Sequence, residues 1–378
     1  MPPQRNNVPA KELPRYPRGP MSPRVVSFEV RVHRGQTLGP VGAARAPAHE
    51  RGGAIVTLVD DAGATGQGEG SPLAGHSPET LDAVVAALEA VRGLFLGRTL
   101  RAPWGYLLSE RVRSLPGAAR FALETAVLDL TARRRGAPLR RLLSPVARDE
   151  VAASAYVGAA LDARTMKVAL EAAGAGFGAV KVKLSGAPEV YDRELEALRA
   201  LREALPHDVR LRLDANGAWS PAEAPAAIAR LRGLRVELIE QPTPVGSLRA
   251  LGRCGVPWAI DESLADAGDV AAALRRGGGC VAAVIKPAVH GLLGAHALAT
   301  RARVAGKGVV VTHLFDGPIG TAAACELALA IGEPRYAAGL ALHGGLAAWP
   351  SAEVAQLAAP GVVRGTGRPG HGVSRLEA

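Results

Sequence analysis

Charged residues recur at a regular interval in the second half of this chain, each at the end of a short apolar run. Intervals of 26, 21 and 25 residues separate Asp214, Glu240, Asp261 and Lys286. Such an interval is about one strand plus one helix of a β/α barrel, whose active site collects side chains from the carboxyl ends of different strands. Together with the Lys-Val-Lys run at 181–183, the pattern predicts three carboxylates and two or three amines in one pocket.

Lys181 and Lys183 lie two residues apart on a predicted strand, so both side chains project to one face. If that face is the barrel interior, each amine lowers the pKa of the other, which makes a lysine usable as a base near neutral pH. Flanking apolar residues argue against the alternative, a solvent-facing edge strand. The chain has only 6 lysines against 39 arginines, and a buried Lys can lose its proton whereas Arg cannot. Three lysines on predicted barrel strands therefore indicate positions where an amine that can lose its proton is useful.

Each of the three acids has an ordinary alternative explanation, which is a turn residue that caps the following helix. Taken together, Asp214, Glu240 and Asp261 would repel one another at successive strand ends unless a cation lay between them. Three carboxylates plus waters suit Mg²⁺, a hard ion that prefers oxygen ligands in octahedral geometry. Lys286, on the next strand, is predicted to face this metal across the pocket, although taken alone it could equally reach solvent.

Alternation of strands and helices begins at about residue 151 and predicts a closed parallel barrel. Apolar or β-branched runs predict eight strands, at 151–157, 179–184, 209–214, 236–240, 257–261, 282–286, 308–312 and, weakly, 336–342. Helical patterns between them include 162–174, 188–204 and 221–232.

The residues before the barrel predict a separate α+β module. Strands are expected at 25–33 and 54–60, separated by a Gly/Ala/Pro-rich loop at 35–53, with a turn at 61–63 and a return run to residue 70. Ser77, Pro78 and Glu79 resemble a helix start before a helix at 80–94, and a second helix is expected at 118–135. The domain prediction is a disordered basic tail (1–24), a capping domain (25–150), a (β/α)₇β barrel (151–345) and a segment that returns to the capping domain (346–378).

Composition excludes several other classes of protein. Of the formal charge of +10, +4 lies in residues 1–24, a Pro-rich tail that can also be a solvated extension upstream of a true start at Met21. No basic patch with interleaved aromatic residues indicates nucleic-acid binding, and no apolar run is long enough for a membrane span or signal peptide. Three widely spaced cysteines form neither a disulfide framework nor a metal motif. The simplest expectation is a cytoplasmic protein, with a homo-oligomer left open.

The motifs, in this order and at this spacing, resemble the muconate-lactonizing subgroup of the enolase superfamily. They are Lys-x-Lys at 181–183, Asp-Ala-Asn at 214–216, Glu-Gln-Pro at 240–242, Asp-Glu-Ser at 261–263 and Ile-Lys-Pro at 285–287. Residues 68–73 and 75–77 also look like the family's capping-domain loop. The resemblance implies a modified TIM barrel with an N-terminal capping domain, acting on a small-molecule carboxylate.

The resemblance also implies a role for each site residue. Mg²⁺ held by Asp214, Glu240 and Asp261 would neutralise the enediolate that forms when a proton α to a carboxylate is removed. Lys183 would take that proton, Lys181 would keep Lys183 neutral, and Lys286 would act as an opposite acid/base or hold the intermediate by charge. Asn216 would orient a ligand or water, and His313 is either a substrate contact or structural.

The substrate is less clearly indicated. Dipeptide epimerases of this fold usually carry an acidic pair near strand eight to hold a substrate ammonium. Residues 339–345 contain no acid, although Asp316 could substitute. The capping loop resembles most that of o-succinylbenzoate synthases, lyases of menaquinone biosynthesis, although residues 312–318 depart from their Ser-rich pattern. The alternatives are an N-acylamino-acid racemase, a dipeptide epimerase and a muconate-type cycloisomerase. From another class, a non-catalytic basic protein would bind acidic partners through its tail.

Overall fold

The computed structural model describes residues 24–43, 46–100, 103–350 and 352–376. Except for Arg24, the predicted basic tail lies outside the described residues. As the sequence predicts, an α+β module precedes a parallel barrel. A search of the described helices for a candidate membrane span finds none that is both long and apolar enough.

The first module contains a three-stranded antiparallel sheet in the order β1-β2-β3. Its strands are β1 (Val25–Ala43), β2 (Ala46–Asp60) and β3 (Thr65–Gly70). The predicted loop at 35–53 is wrong, because β1 and β2 continue through much of it as one long hairpin. Glycine there allows close packing: a Cβ at Gly35 would lie 2.1 Å from the carbonyl oxygen of Ala348. The predicted turn at 61–63 is confirmed.

Helices of the first module pack against this sheet. They are α1 (Leu81–Phe95), α2 (Pro103–Leu107), α3 (Glu110–Arg113), α4 (Gly117–Arg134) and α5 (Leu139–Leu143). The longest, α4, lies directly on β3, where a Cβ at Gly68 would come within 1.9 Å of the carbonyl oxygen of Ala122. The glycines of β3 therefore allow the helix to approach the strand closely.

The predicted helix start at Ser77 is wrong by three residues. Thr80 is the N-cap of α1, and its hydroxyl accepts the N–H of Ala83 at 3.2 Å. The Ser77 hydroxyl instead accepts the N–H of Leu73, at 3.1 Å. Glu79 accepts the N–H of Ala118 in the first turn of α4, at 2.8 Å. The contact within residues 73–77 forms a turn before α1 begins, and the contact of Glu79 ties this turn to α4.

Seven parallel strands form the barrel wall in sequence order from β5 to β11. The elements in chain order are β4 (Glu150–Ala152), β5 (Ala155–Ala159), α6 (Thr165–Gly174), β6 (Ala179–Lys183), α7 (Tyr191–Ala204), β7 (Arg210–Asp214), α8 (Ala224–Arg230), β8 (Val236–Glu240), β9 (Trp258–Ile260), α9 (Ala267–Ala273), β10 (Cys280–Ile285), α10 (Pro287–His290), α11 (Leu292–Val304), β11 (Gly308–Val311), α12 (Pro318–Ile331) and β12 (Val362–Arg364). The helices predicted at 162–174, 188–204 and 221–232 each begin three residues later than expected.

The barrel closes without a regular eighth strand. Between residues 336 and 342, Ala338 bridges to Ala153 and Gly339 bridges to Thr312. The predicted first strand, 151–157, is also divided, because β4 leaves the barrel and pairs antiparallel with β12. The contact between the start of the barrel and the segment 336–342 is a single bridge, in which the N–H of Ser154 donates to the carbonyl of Ala338 and the N–H of Ala338 donates to the carbonyl of Ala152.

Small apolar side chains fill part of the barrel interior. Leu238, Ala259, Ala282, Val284 and Val310 form one buried cluster, with Tyr336 packed against it. Burial of each Val or Leu side chain stabilises the fold by about 1.5–3 kcal/mol. Charged residues toward the carboxyl ends of the strands therefore lie next to a closely packed apolar layer.

The C-terminal segment contacts α4 and β3 of the first module. The N–H of His371 donates to Asp129 Oδ1 at 2.9 Å, and the N–H of Leu376 donates to Gln67 Oε1 at 2.9 Å. Arg133 Nη2 donates to the carbonyl of Val373 at 2.8 Å. These hydrogen bonds hold the C-terminal segment on the first module, while the domain boundaries themselves stay a prediction.

Candidate active site

Strand register brings the predicted site residues side by side. Lys183 at the end of β6 pairs with Asp214 at the end of β7, and Asp214 pairs with Glu240 at the end of β8. Residues at matched positions of neighbouring parallel strands point to the same face. Asp261 follows the last residue of β9 and Lys286 follows the last residue of β10. The barrel thus collects all five at its carboxyl end.

Two of the three lysines form ion pairs with the acids. Lys181 Nζ lies 3.3 Å from Asp214 Oδ2 and 3.0 Å from Glu240 Oε2. Lys286 Nζ lies 2.7 and 2.6 Å from the two carboxylate oxygens of Asp261. Lys286 sits on the strand next to that of Asp261 and contacts this acid directly, and the expectation that it faces a metal across the pocket stays a prediction.

Lys183 differs from its two neighbours. Among the described residues it is the only one of the three lysines with no ion pair within 4 Å. Burial lowers its pKa, and the positive charges of Lys181 and Lys286 lower it further, while Asp214 acts in the opposite direction. Lys183 is thus a buried amine that loses its proton more readily than an ordinary lysine.

The other two lysines stay charged. Burial alone would lower the pKa of Lys181, but Glu240 and Asp214 outweigh burial and hold the pKa above its usual value. Asp261 does the same for Lys286, with help from Glu262. The expected mutual lowering of the lysine pKa values therefore applies to Lys183 and not to Lys181.

The acids form a crowded, buried group. Burial raises the pKa of Asp261 to about 8, and the nearby charge of Glu262 adds to the effect despite the ammonium of Lys286. Burial also raises the pKa of Glu240. For Asp214, burial is outweighed by Lys181 and the other lysines, so its pKa falls. Burial therefore works against ionisation of Glu240 and Asp261, and a further cation among the acids would favour their charged forms.

The donor chemistry of this group fits a hard cation such as Mg²⁺. Asp214, Glu240 and Asp261 present carboxylate oxygens at successive strand ends, and Glu262 Oε2 and Asn216 Oδ1 are buried without a hydrogen-bond partner. Within the described residues, no three His, Cys, Asp or Glu side chains already converge on one point. Lys286 contacts both carboxylate oxygens of Asp261, whereas Lys181 leaves one oxygen each of Asp214 and Glu240 without an ammonium partner.

Gln241 positions one of these acids and was not assigned a role from the sequence. Its Oε1 accepts the N–H groups of Asp261 and Ser263, both at 3.1 Å. Its Nε2 donates to Ser263 Oγ at 2.7 Å and to the carbonyl of Thr243 at 2.8 Å. With a φ of 40°, the residue adopts a left-handed conformation that is uncommon for a non-glycine residue, and its four side-chain hydrogen bonds stabilise that conformation. Its place directly after Glu240 was the available signal.

Asn216 lies at the edge of the acid group. Its N–H donates to Asp214 Oδ1 at 3.2 Å, and its Nδ2 donates to Glu262 Oε1 at 3.1 Å. Glu262 also lies 3.8 Å from Lys286 Nζ. Asn216 therefore links two carboxylates, and its unpartnered Oδ1 remains available to a ligand. Glu262 was part of a quoted motif but was not singled out from the sequence.

His313 lies on the opposite wall. Its Nδ1 accepts the N–H of Phe315 at 3.1 Å, and its ring centre is 4.2 Å from that of His343. Burial lowers the pKa of His313 to about 4, and Lys181 contributes to the shift. The pKa of His343 also lies well below its usual value, chiefly because of burial. Both imidazoles are neutral at neutral pH.

A cavity of about 600 Å³ connects these groups with the first module. Lys181 and Lys183 both line it, which confirms that they share the interior face. His76 enters from the capping loop, and burial together with Lys286 and Lys183 lowers its pKa to about 4. No role was predicted for His76, although the loop that carries it was identified as resembling the family's capping-domain loop.

The capping loop and the loop after β11 are joined by Arg51 on β2. Its guanidinium donates to the carbonyls of Phe315 (3.0 Å) and Leu314 (3.2 Å) on one side, and of Pro72 (2.7 Å) and Ser71 (2.8 Å) on the other. Phe315, which lines the cavity, has a φ of 54°. Arg51 therefore holds a strained residue in the cavity wall.

Comparison with known proteins identifies the two modules. Residues 164–377 match the family described as enolase C-terminal domain-like, and residues 27–144 match the N-terminal domain of mandelate racemase / muconate lactonizing enzyme. The chain is 33% identical over 359 residues to the L-Lys-D/L-Arg epimerase of Methylococcus capsulatus. The alignment covers 93% of this chain and 99% of that relative. It is 38% identical over 203 residues to the o-succinylbenzoate synthase of Mycobacterium bovis. That alignment covers 53% of this chain and 60% of the relative.

A solved structure extends the match to three dimensions. The dipeptide epimerase from Methylococcus capsulatus, complexed with Mg and the dipeptide L-Arg-D-Lys, has a TM-score of 0.81 and 31% identity, covering 93% of this chain and 100% of that chain. The family models, the relatives and the fold agree. The chain therefore belongs to the enolase superfamily, in its muconate-lactonizing subgroup.

Proposed function

We propose that this chain removes the proton α to the carboxylate of a small-molecule substrate, with Lys183 as the base. The observation that carries the proposal is the contrast among the three lysines. Lys183 has a lowered pKa and no ion pair among the described residues, whereas Lys181 and Lys286 are paired and charged. Proton abstraction moves the α-proton to Nζ of Lys183, which needs that nitrogen to be neutral beforehand.

Mg²⁺ is proposed as the cofactor, held by Asp214, Glu240 and Asp261. When bound, it supplies positive charge at the substrate carboxylate, where negative charge develops as the proton leaves. The buried and mutually repelling acids support this role, as does a superfamily neighbour solved with Mg. Lys181 keeps Lys183 neutral through its own positive charge.

Lys286 and Asn216 are proposed to act on the substrate. Lys286 lines the same cavity as Lys183 and can present an ammonium to the substrate if it moves away from Asp261. It then stabilises developing negative charge or supplies a proton. Asn216 Oδ1 lacks a partner and lines the same cavity, so it orients a ligand or a water.

The reaction that we favour is dehydration to o-succinylbenzoate. In this step Lys183 takes the α-proton, the bond from the neighbouring carbon to its hydroxyl breaks, and a lysine ammonium returns a proton so that water leaves. Neutral imidazoles occupy the wall where an ammonium-binding acid would be needed. Burial, together with Lys181 and Arg51, disfavours positive charge on His313, and the same environment disfavours a substrate ammonium. The match to an o-succinylbenzoate synthase at 38% identity is consistent with this choice.

Epimerisation is the second candidate. Lys183 and Lys286 line one cavity, so one amine can remove a proton and the other can return it to the opposite face. The match to an L-Lys-D/L-Arg epimerase covers almost the whole of both chains. Because of the wall described above, the substrate of such an epimerase would carry an acylated, uncharged nitrogen.

The test follows the cyclohexadiene absorbance of the o-succinylbenzoate precursor in the presence of Mg²⁺. Wild type is expected to consume it, and both chelator and Lys183→Ala are expected to abolish turnover. Lys167→Ala, which removes an exposed lysine on α6, is the control and should retain the wild-type rate. If the precursor is inert, α-proton exchange in D₂O is followed by NMR with N-acylamino acids and dipeptides. Absence of exchange with all of them would contradict the proposed function.

A further inference from the structure

The barrel wall has a gap on one side. Above the bridge between Ala153 and Ala338, the structure gives β5 no further backbone pairing with the segment that replaces the eighth strand. In the described chain after residue 342 the helical turns are short 3₁₀ segments, at Gly344–Ala348 and Ala355–Leu357. The place that an eighth α-helix takes in a complete β/α barrel is therefore only thinly covered.

The active-site cavity extends into this gap. From Lys183 and Tyr156 its lining continues along Ala153 and Ala155 of β5. It then reaches α6, through Val168, Ala172 and Ala175, and the C-terminal residues 357–362. One continuous cavity thus joins the reactive amines to the outer surface between α6 and the C-terminal segment. We call the part lined by α6, residues 153–155 and residues 357–362 the lateral passage.

The cavity carries unusually exposed apolar side chains. Four large ones line it: Val168 (37% exposed) lies on the lateral passage, and Leu38 (80%), Leu342 (66%) and Tyr156 (42%) lie on the rest of the cavity. A contiguous patch of exposed apolar side chains on a protein often marks a binding site. An apolar ligand that covered them would remove their surface from water, which is favourable in proportion to the area.

Charge is nearly absent from the lateral passage. Its lining contains small residues, mostly alanine and glycine, and the acid on it is Glu171, which is exposed at the outer end and lies 3.8 Å from Lys167 Nζ. Asp214 and the lysines lie at the opposite, inner end of the cavity. The arrangement has a charged inner end for a carboxylate and an uncharged passage beside it.

We propose that the lateral passage binds the apolar chain of an acylated carboxylate substrate, so that N-acylamino acids with long saturated acyl groups are ligands of this protein. The proposal rests on the proposed function in placing the carboxylate at the lysine end of the cavity. It goes beyond that function, because the o-succinylbenzoate precursor carries no long apolar chain and does not need the passage.

The test measures binding of N-acetyl-, N-hexanoyl- and N-decanoyl-L-alanine to the full-length protein by calorimetry with Mg²⁺ present. Each buried methylene contributes about fourfold in affinity, so the step from acetyl to hexanoyl should tighten binding on the order of 100-fold. Two α6 variants make a matched pair, because Val168 and Leu170 are similarly exposed, at 37% and 40%, and only Val168 lines the cavity. Val168→Glu should weaken the long-chain ligands by at least about 10-fold, since it places a charge beside the chain, whereas Leu170→Glu should not.

The possible outcomes separate the two proposals. If affinity does not grow with chain length while N-acetyl-L-alanine binds in a Mg²⁺-dependent manner, the lateral passage is wrong and the proposed function stands. If the chain-length gain is present and sensitive to Val168→Glu but does not depend on Mg²⁺, the passage is supported and the metal-anchored carboxylate is contradicted. Equal loss in Val168→Glu and Leu170→Glu, or no binding of any of the three ligands, would overturn the passage.

Discussion

Lys181 and Lys183 lie two residues apart on β6 and face the same cavity, yet their amines have opposite surroundings. Lys181 Nζ contacts the carboxylates of Asp214 and Glu240, whereas Lys183 has no ion pair among the described residues. As a result the pKa of Lys181 is raised and that of Lys183 is lowered. One strand thus supplies both a fixed positive charge and a neutral amine beside it.

This contrast predicts the pH profile of a Lys181→Met variant. Removing the positive charge of Lys181 removes one of the causes that lower the pKa of Lys183 and leaves Asp214 without its closest cation. Both changes raise the pKa of Lys183, so the rising limb of kcat/KM against pH should move to higher pH, and activity at neutral pH should fall. The exposed Lys167→Met serves as the control and should keep the wild-type profile. A rising limb that stays in place or moves to lower pH would contradict the role given to Lys181.

Magnesium should stabilise the fold through the three acids. At a concentration 100-fold above its dissociation constant, a ligand that binds the native state alone adds about 2.7 kcal/mol to the free energy of unfolding. Thermal unfolding with Mg²⁺ and with chelator should show this increase in wild type. Asp261→Asn should lose most of it, while Asp82→Asn on the exposed face of α1 should retain it. An equal increase in wild type and Asp261→Asn would place the metal elsewhere.

Arg51 should be required for both stability and activity. Its guanidinium satisfies four carbonyls on two loops, of which those of Ser71 and Leu314 are buried and those of Pro72 and Phe315 are partly buried, and each buried acceptor left without a partner costs about 1–3 kcal/mol. Arg51→Met should therefore lower the free energy of unfolding by several kcal/mol and should reduce kcat/KM as Phe315 relaxes.

Arg51→Lys provides the matched comparison. A lysine keeps the charge but lacks the planar fork that reaches both loops, so it should restore little of either quantity. Chemical denaturation and steady-state kinetics measure the two effects. Full recovery in Arg51→Lys would show that charge matters more than the fork.

Glu69 should make stability depend on pH. Its carboxylate is buried, accepts the N–H groups of Gly317 (2.5 Å) and Gly320 (3.1 Å), and has a pKa raised to about 7, chiefly by burial. A carboxyl whose pKa is higher in the folded than in the unfolded state stabilises the fold most below its unfolded pKa. That contribution, no more than about 3 kcal/mol, is lost as the pH rises from about 4.5 to about 7.

Glu69→Gln removes the titrating group and keeps a side chain of the same shape. Urea denaturation at pH 5 and pH 8 should give a smaller difference in the free energy of unfolding for Glu69→Gln than for wild type. The same difference in both proteins would assign the pH dependence to another group.

The non-catalytic alternative is tested by removing residues 1–23. Every site residue described here lies after residue 23, so the shortened chain should keep the kcat and KM of the full chain. Steady-state kinetics on both proteins, at two salt concentrations, measures this. Loss of function on deletion, with function retained in Lys183→Ala, would favour a binding protein that acts through its tail.

The acid and lysine positions could be predicted because strand periodicity and strand register are local properties. A residue at the carboxyl end of each strand must lie at one end of the barrel, which places Asp214, Glu240 and Lys183 side by side. The ion pair between Lys286 and Asp261 could not be predicted, because side-chain rotamers decide between facing a cavity and reaching a neighbour.

Long-range packing accounts for the other misses. The glycines at 35–53 indicated a loop, but they serve the approach of distant backbone such as that of Ala348. His76 enters the site from another module, and no periodicity of its own segment signals that position. The eighth strand was predicted only weakly, and one of its two bridges joins Ala338 to Ala153, a neighbour 185 residues away.

The contact between Gln67 and Leu376 has a consequence for how the protein is made. Gln67 exchanges two hydrogen bonds with the backbone of Leu376, across a separation of 309 residues. At a synthesis rate of about 5–20 residues per second, roughly 15–60 s separate the appearance of the two ends of this contact. Parts of β3 and α4 therefore stay uncovered until residues 371–376 have been synthesised, and during that interval the nascent chain exposes surface that can aggregate.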